Sequence, residues 1–384
     1  MNHSYTLRRT LSTILFFLTS TLTCLSWDFD FESGILCYNI TSETSVEVVS
    51  RGYWGCYAGN IFIPPTVTYE DKTYSVKSIG DGAFYGCPDI TSMELSSSVT
   101  HIGNYAFASC YSLAYVNIPE SVTNIGYSVL ESCHALMSIT VSHNNPVYDS
   151  REGCNAIIET ATNTLIAGCT STTIPESVTS IGVDAFSCSD LTSINIPGSV
   201  TSIGDEAFWC CLSLTSINIP GSVMHIGNKA FGACHSVTSI VVGDGVTRIG
   251  DSAFWNCQSV DSIIIGNSVK SIGDYAFCTP IDKPSSLAVV ICRAKNVPEL
   301  GSAVFANVQD EAILYVPASA LEAYKTADQW KDFGTILPID DGTTNVSTVP
   351  QDKELLYYTL DGKAKTTPDR KGIYIKDGKK VMLR

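Results

Sequence analysis

The sequence predicts an α+β repeat solenoid. The expected architecture is a right-handed stack of coils, with short strands on the concave face, short helical turns on the convex face and small β modules at both ends. Two observations predict it. A pattern of about 23 residues recurs, with its leading Val at 76, 99, 122, 178, 200, 223, 246 and 269. Charged residues are only 16% of the chain, against roughly 25% in ordinary soluble domains. Ser, Thr, Asn and Gly fill the polar positions instead, as in a turn-rich β protein.

The elements follow in chain order. Residues 1–26 read as a signal peptide: Arg8 and Arg9 precede an apolar run from Leu11 to Leu25. That run is too short and too rich in hydroxyl groups for a membrane span, and no later stretch of the mature chain qualifies as a transmembrane helix. Cleavage after Ser26 would leave Trp27 first. Cys24 offers a lipoprotein alternative, although Thr21-Leu22-Thr23 makes a poor lipobox. Residues 27–75 lack the repeat but alternate in short runs, such as Val46 with Val48 and Ile61 with Ile63, and predict an N-terminal β cap. The alternation from Trp27 to Glu32 reads as a half-buried strand rather than a calcium site.

The solenoid is placed at 76–295, on the pattern V-x-x-I-G-x-x-A-F-x-x-C-x-x-L-x-x-I-x-I-P-x-S. In Leu191-Thr-Ser-Ile194-Asn-Ile196-Pro197 the apolar residues end at period two, as in a strand, and Pro stops it. Gly204 is expected in a turn that a Cβ would hinder. Asp205, with Asn104, Asn228, Asp251 and Asp274 in the same column, stands where an N-cap belongs. Ala207 and Phe208 are expected to enter a short helical turn and point inward. Stacking should then build a ladder of Phe84, Phe107, Leu130, Phe186, Phe208, Phe231, Phe254 and Phe277 at roughly 5 Å spacing. Val129-Leu130 departs from Ala-Phe, and the repeat from Val178 is one residue short.

One step of 56 residues holds a repeat plus an insertion of 33, placed at about 142–173 and read as a hairpin. Asn155–Glu159 and Thr164–Cys169 are its strands, and Thr160-Ala-Thr-Asn163 its turn. If Glu159 pairs with Thr164 and the register holds, Cys154 faces Cys169 within disulfide reach.

This pattern resembles the BspA-like leucine-rich-repeat family of bacterial surface proteins over residues 27–340, and the insertion from Ser150 to Cys169 resembles one common in that family. The resemblance implies a leucine-rich-repeat coil stack, exposure at a bacterial surface and binding to host matrix proteins and cells. At 296–340, Leu314-Tyr-Val-Pro317 mimics the repeat strand. It leads into a capping box, Ser319 to Glu322, that should open a helix running to about Trp330 over the last coil. Residues 341–384 carry nine of the 23 bases and six acids, which leaves 12 bases against 32 acids in 27–340. Such a break marks a separate small β module, with strands at Leu355–Leu360, Gly372–Lys376 and Lys379–Leu383. It resembles the C-terminal sorting modules of Bacteroidetes proteins exported by the type IX system.

The residue pattern points to binding rather than to chemistry. The net charge of −15 argues against a nucleic-acid partner, because phosphate binding needs clustered Lys and Arg. Cys87, Cys110, Cys133, Cys211, Cys234 and Cys257 share one repeat column, with Cys188 one place early. A column strings thiols along an axis rather than converging them on a metal, so they are read as small buried packing residues. The six His are scattered. No nucleophile elbow or phosphate loop stands in the required context. Paired acids such as Asp205-Glu206 sit in a turn column rather than as a glycosidase pair. No catalytic residue, metal or cofactor is expected, and the chain is not read as an enzyme.

What remains is surface. One outward strand column runs Glu94, Asn117, Thr140, Asn195, Asn218, Val241 and Ile264. The column two residues before it includes Tyr115 among serines. Val241 and Ile264 are neighbouring apolar residues that should be exposed. Trp209 and Trp255, two coils apart on the convex side, are further candidate anchors. The function expected is a secreted or cell-surface adhesin or protein-interaction scaffold, with a host or extracellular-matrix protein as partner. The alternative is a glycan-binding accessory or a passive surface-layer component.

Overall fold

The computed structural model describes residues 29–52, 55–280, 286–307 and 312–339, and the backbone of four strands at Tyr357–Thr359, Ala364–Lys365, Gly372–Lys376 and Lys379–Leu383. The signal segment lies outside the described residues, as do Asp361-Gly362 and Asp377-Gly378, where the sequence predicts turns between the tail strands. The chain is a right-handed β-solenoid of about 11 turns. It is mostly strand, and the helical half of the α+β expectation is not met. The longest helix among the described residues is Leu321–Thr326.

Each coil contributes to two parallel ladders. Long strands such as Ser216–Ile219, Ser239–Val242 and Ser262–Ile265 pair in register at one repeat's offset. Short strands such as His225–Ile226 and Arg248–Ile249 pair likewise on a second side. The first long strand, Gly59–Ile63, already pairs in parallel with Ile90–Leu95, so stacking begins inside the segment assigned to the cap. The rest of that segment is largely antiparallel: Phe31–Ser33 on Leu36–Ile40, and Leu36–Ile40 on Ser45–Val49.

The third side is where the helical turn was expected. Instead, most coils place two residues in the left-handed region, four apart: Tyr105 and Ser109, Glu206 and Cys210, Lys229 and Ala233, Ser252 and Asn256. Such residues interrupt a helix. Their N–H groups donate to the next coil, as in Lys229 to the Asp251 carbonyl (2.8 Å) and Ala233 to the Trp255 carbonyl (2.7 Å). Alternate residues close tight turns within the coil, as in Gly232 to Lys229 (2.9 Å). The backbone polar groups are thus satisfied between coils, where a helix would satisfy them within itself.

The Asp/Asn column is not a set of helix caps either. Its carboxylates and amides accept the backbone N–H of the next coil: Asn228 on Asp205 (2.7 Å), Asp251 on Asn228 (2.9 Å) and Asp274 on Asp251 (2.9 Å). The Gly column owes its identity to that closeness and not to a turn. A Cβ on Gly227 would lie 2.5 Å from the Asp205 nitrogen.

Inside, the Phe column stacks with ring centroids 4.8–5.5 Å apart from Phe186 through Phe277, and interplanar angles of at most 6°. Phe305 extends it at 5.5 Å, and Trp330 then covers Phe305 at 5.2 Å. The capping helix is shorter than expected. It starts at Leu321 after a 3-10 turn at Ala318–Ala320, has no side-chain cap hydrogen bond, and ends at Thr326; Trp330–Asp332 is a separate 3-10 turn. The chain then adds Thr335–Ile339 as a last long strand beside Ile313–Pro317.

The insertion divides the stack. Ala156–Glu159 and Thr164–Gly168 form the hairpin, with Asn163 left-handed in the turn, and the second strand takes over the short-strand ladder by pairing with Ser180–Ile181. Gly168 lies against the Phe186 ring, close enough that a Cβ there would overlap it. Leu130, at the place of a ladder Phe, leaves that room. The long-strand ladder stops at Ser138–Val141 and resumes at Ser216–Ile219, because the shortened repeat forms no strand over 191–197. Two buried cores result, one on each side of the break.

Candidate functional site: the outward face of the long-strand sheet

On a strand, alternate side chains point to opposite faces. Ile240, Val242, Ile263 and Ile265 face the core, so Val241 and Ile264 face outward. The register places Asn218 beside Val241 and Val241 beside Ile264. It continues from Ile264 to Ile291, Tyr315 and Leu337. The outward column is polar at Glu94, Asn117, Thr140 and Asn218, and apolar over the next five positions.

The expectation that Val241 and Ile264 are exposed needs correction, since both are half-buried. Ile264 packs against an outward cluster of Val289, Ile291 and Tyr315, which are 6%, 9% and 6% exposed, together with Ile313 and Ile339. Residues this buried on the far side of a sheet have a second apolar layer of their own. Leu337, at the end of the column, is 39% exposed. The sequence reading missed Ile291, Tyr315 and Leu337 because the step from Phe277 to Phe305 is 28 residues, and the 23-residue register lost the column there. A search from Leu314-Tyr-Val-Pro317 backwards would have recovered Tyr315.

The other candidate residues lie apart from this face or on its polar end. Asn195 and Asn218 are exposed, but Asn195 is in the segment without a strand and does not join the ladder. Tyr115 is exposed in the N-terminal half of the stack. Trp209 and Trp255 are on the turn side, half-buried and stacked on each other at 5.9 Å and 5°. Gly232, in the coil between them, makes the stack possible, since a Cβ there would meet the Trp209 ring. Lys229 lies 5.7 Å from the Trp209 ring centroid and pairs with Glu206 at 2.8 Å. The two indoles thus cover a turn and each other. A second aromatic row that sequence reading did not assemble is exposed on the turn side: Tyr85, Tyr105 and Tyr127, edge to face at 6.5 and 5.1 Å.

The thiols divide by column. Cys110, Cys133, Cys211, Cys234 and Cys257 are buried, and each donates to the carbonyl of the Phe column one coil back, at 3.1–3.3 Å. Burial pushes the Cys133 thiol up to about 12 and Cys211 well above its ordinary value. The predicted facing of Cys154 and Cys169 is not found. The register holds for Glu159 with Thr164 and Ile158 with Leu165, then a bulge at Ile166 shifts it, so that Ala156 pairs with Gly168. Cys154 packs into one core and Cys169 into the other. Cys188 is not a displaced member of the buried column. Ser189 occupies that position, donating its N–H to the Phe186 carbonyl.

Among the described residues, no group of three or more His, Cys, Asp or Glu is placed to hold a metal, and no helix is long and apolar enough to cross a membrane.

Comparison with known proteins accords with this architecture. A leucine-rich-repeat protein from Bacteroides ovatus is 28% identical, with 81% of this chain and 76% of that one covered and a TM-score of 0.49. The pneumococcal vaccine antigen PcpA is 15% identical, with 81% and 98% covered and a TM-score of 0.53. A leucine rich cell surface protein from Faecalibacterium prausnitzii is 22% identical, with 68% and 94% covered and a TM-score of 0.45. No curated protein matches the chain. The BspA type leucine rich repeat region matches in six copies over residues 59–162 and 163–281, more than half of the sequence, and the chain belongs to that family.

Proposed function

We propose that this chain is an exported surface protein that binds another protein, in the manner of an adhesin or interaction scaffold, with a host or extracellular-matrix protein as partner. The observation that carries the reading is the outward apolar column from Val241 through Ile264, Ile291 and Tyr315 to Leu337. A solenoid presents such a column as one continuous face, and its accessible part is the half-buried Val241 and Ile264 together with the exposed Leu337, on either side of the buried Ile291 and Tyr315. The description of a similar chain from Faecalibacterium prausnitzii as a cell surface protein supports the location. The signal peptide at 1–26 and the sorting role of 341–384 belong to the same proposal. The test is capture of immobilised host matrix proteins by the mature chain. Saturable binding that competes with soluble matrix protein is expected. Binding to none across a matrix panel would overturn the adhesin reading.

One observation favours the alternative, a glycan-binding accessory. Tyr85, Tyr105 and Tyr127 form an exposed aromatic row, and aromatic rings with an apolar body and a polar tip suit carbohydrate surfaces. A glycan array run beside the matrix panel separates the two readings.

A further inference from the structure

The cross-coil ladders are thinnest at the shortened repeat. Residues 191–197 add nothing to the long-strand sheet. On the strand sides the coil is held to the next by the two-residue pairing of Ser180–Ile181 with Ser202–Ile203, by Thr201 N–H to the Thr179 carbonyl (2.9 Å) and by Thr215 N–H to the Thr192 carbonyl (3.2 Å). On the turn side it adds three backbone bonds: Asp184 to the Asp205 carbonyl (3.1 Å), Phe186 to Ala207 (2.7 Å) and Cys188 to Trp209 (2.7 Å). The third bond sets Cys188 directly beside Cys210. The two occupy equivalent positions of adjacent coils, share the left-handed conformation (φ 54° and 57°), and are both partly exposed. The backbone places their side chains at the same position of neighbouring coils. The same column carries Gly86, Ser109 and Ser132 before them and Ala233 and Asn256 after them, so adjacent cysteines occur in it here and not elsewhere among these coils. The buried cysteines one residue on are different, because their thiols are engaged by Phe carbonyls and shielded from solvent.

We propose that Cys188 and Cys210 form a disulfide that staples the shortened repeat to its neighbour, in the role that sequence reading gave to Cys154 and Cys169. Neighbouring in-register coils hold Cα atoms roughly 5 Å apart, inside the Cα range that a disulfide requires. The oxidant is an exchangeable disulfide of the exported environment, from a thiol oxidoreductase or a small-molecule disulfide. One thiolate attacks the donor and releases a thiol. The second thiolate then attacks the mixed disulfide and releases the other. Two S–H bonds of the protein are lost, one S–S bond forms, the donor's S–S bond is reduced, and its two thiols carry away the protons. Burial, and then the thiol of Cys188, push Cys210 up to about 11. Closure should therefore accelerate as pH rises above neutral, since the thiolate is the nucleophile. The inference shares the export reading with the proposed function but not the partner-binding reading.

The test uses the full mature chain incubated with oxidised glutathione. Remaining thiols are then blocked with iodoacetamide, and the protein is digested without reduction and sequenced by tandem mass spectrometry. The expected result is a cross-linked peptide pair joining Cys188 to Cys210, lighter by two hydrogens than the two peptides together. Selective reduction of that bond should lower the melting temperature by a few degrees. Recovery of both residues alkylated, of both carrying glutathione, or of either bonded to Cys56 or Cys211 would overturn the assignment. A melt unchanged by reduction would overturn the stapling role. In C210S, Cys188 should be recovered alkylated or glutathionylated, and a bond from Cys188 to Cys211 there would also count against the proposal.

Discussion

The thiol of Cys234 donates to the carbonyl of Phe208, one coil back, at 3.3 Å. That carbonyl already accepts the N–H of Cys211 within its own coil at 3.4 Å. The cysteine column therefore ties each turn to its predecessor through the second lone pair of an otherwise weakly bonded carbonyl. This explains why a small, weakly donating side chain recurs there without a metal or a disulfide. Burial disfavours the thiolate of Cys133 and Cys211, and the neighbouring Cys257 thiol together with burial does so for Cys234, so all three should resist iodoacetamide in the folded protein at neutral pH, while the exposed Cys56 reacts first. Time-resolved alkylation read by peptide mass checks the order. Comparable rates at Cys56 and Cys234 would contradict the column's burial. Replacing Cys234 by Leu should cost about 1–3 kcal/mol by overpacking, measured by urea unfolding.

Phe208 stacks between Phe186 at 5.0 Å and Phe231 at 4.8 Å. The substitution F208A removes a fully buried ring and should cost about 3–5 kcal/mol, from lost transfer free energy and the cavity left behind. A thermal melt unmoved by it would remove Phe208 from the core.

Gly227 is the sharper probe of coil spacing. Its φ is ordinary, so Ala would meet no backbone strain, yet the added Cβ would meet Asp205 backbone at 2.5 Å. G227A should thus destabilise by more than the roughly 1 kcal/mol that single mutations typically cost, by prising two coils apart. A neutral G227A in the same urea titration would refute the close-approach account.

This contrast shows how the sequence reading divided. The coil repeat, the Phe ladder, the hairpin turn and the outward columns through Ile264 were legible, since side-chain periodicity reports which face is buried. The backbone of the turn side was not. An Asp before Ala-Phe fits an N-cap as well as a cross-coil acceptor, and Tyr105, Ser109 or Lys229 do not announce left-handed backbone as glycine would. The bulge at Ile166 left no compositional trace, and the staple predicted across it failed for that reason. The apolar face beyond Ile264 was hidden by a lengthened coil.

Deleting residues 341–384 tests the export part of the proposal. The segment carries an excess of bases, unlike the acidic solenoid, and holds a four-stranded sheet of Ala364–Lys365, Tyr357–Thr359, Gly372–Lys376 and Lys379–Leu383, which is why deletion is proposed at its boundary. The truncated protein should accumulate in the periplasm, as seen by cell fractionation. Normal amounts of truncated protein at the surface would remove the sorting role while leaving the solenoid untouched.

The partner face is tested by charge. Val241 and Ile264 are half-buried on the outward side and stand outside the inward core, and only Ile264 packs on the outward apolar cluster, so V241D with I264D should leave the inward stack folded at some cost to that cluster. A partner that completes their burial would recover part of the roughly 3–5 kcal/mol available from two such side chains. Losing it, and facing two carboxylates instead, should weaken binding by about 10–100-fold, since each tenfold change is about 1.4 kcal/mol. Surface plasmon resonance against the captured partner gives the dissociation constant, and circular dichroism confirms that the solenoid persists. A folded double variant that binds with unchanged affinity would move the site off this face. The next variants are then Tyr85→Ala with Tyr127→Ala. Loss of binding in those would place recognition on the tyrosine row, where an exposed aromatic surface suits a carbohydrate partner.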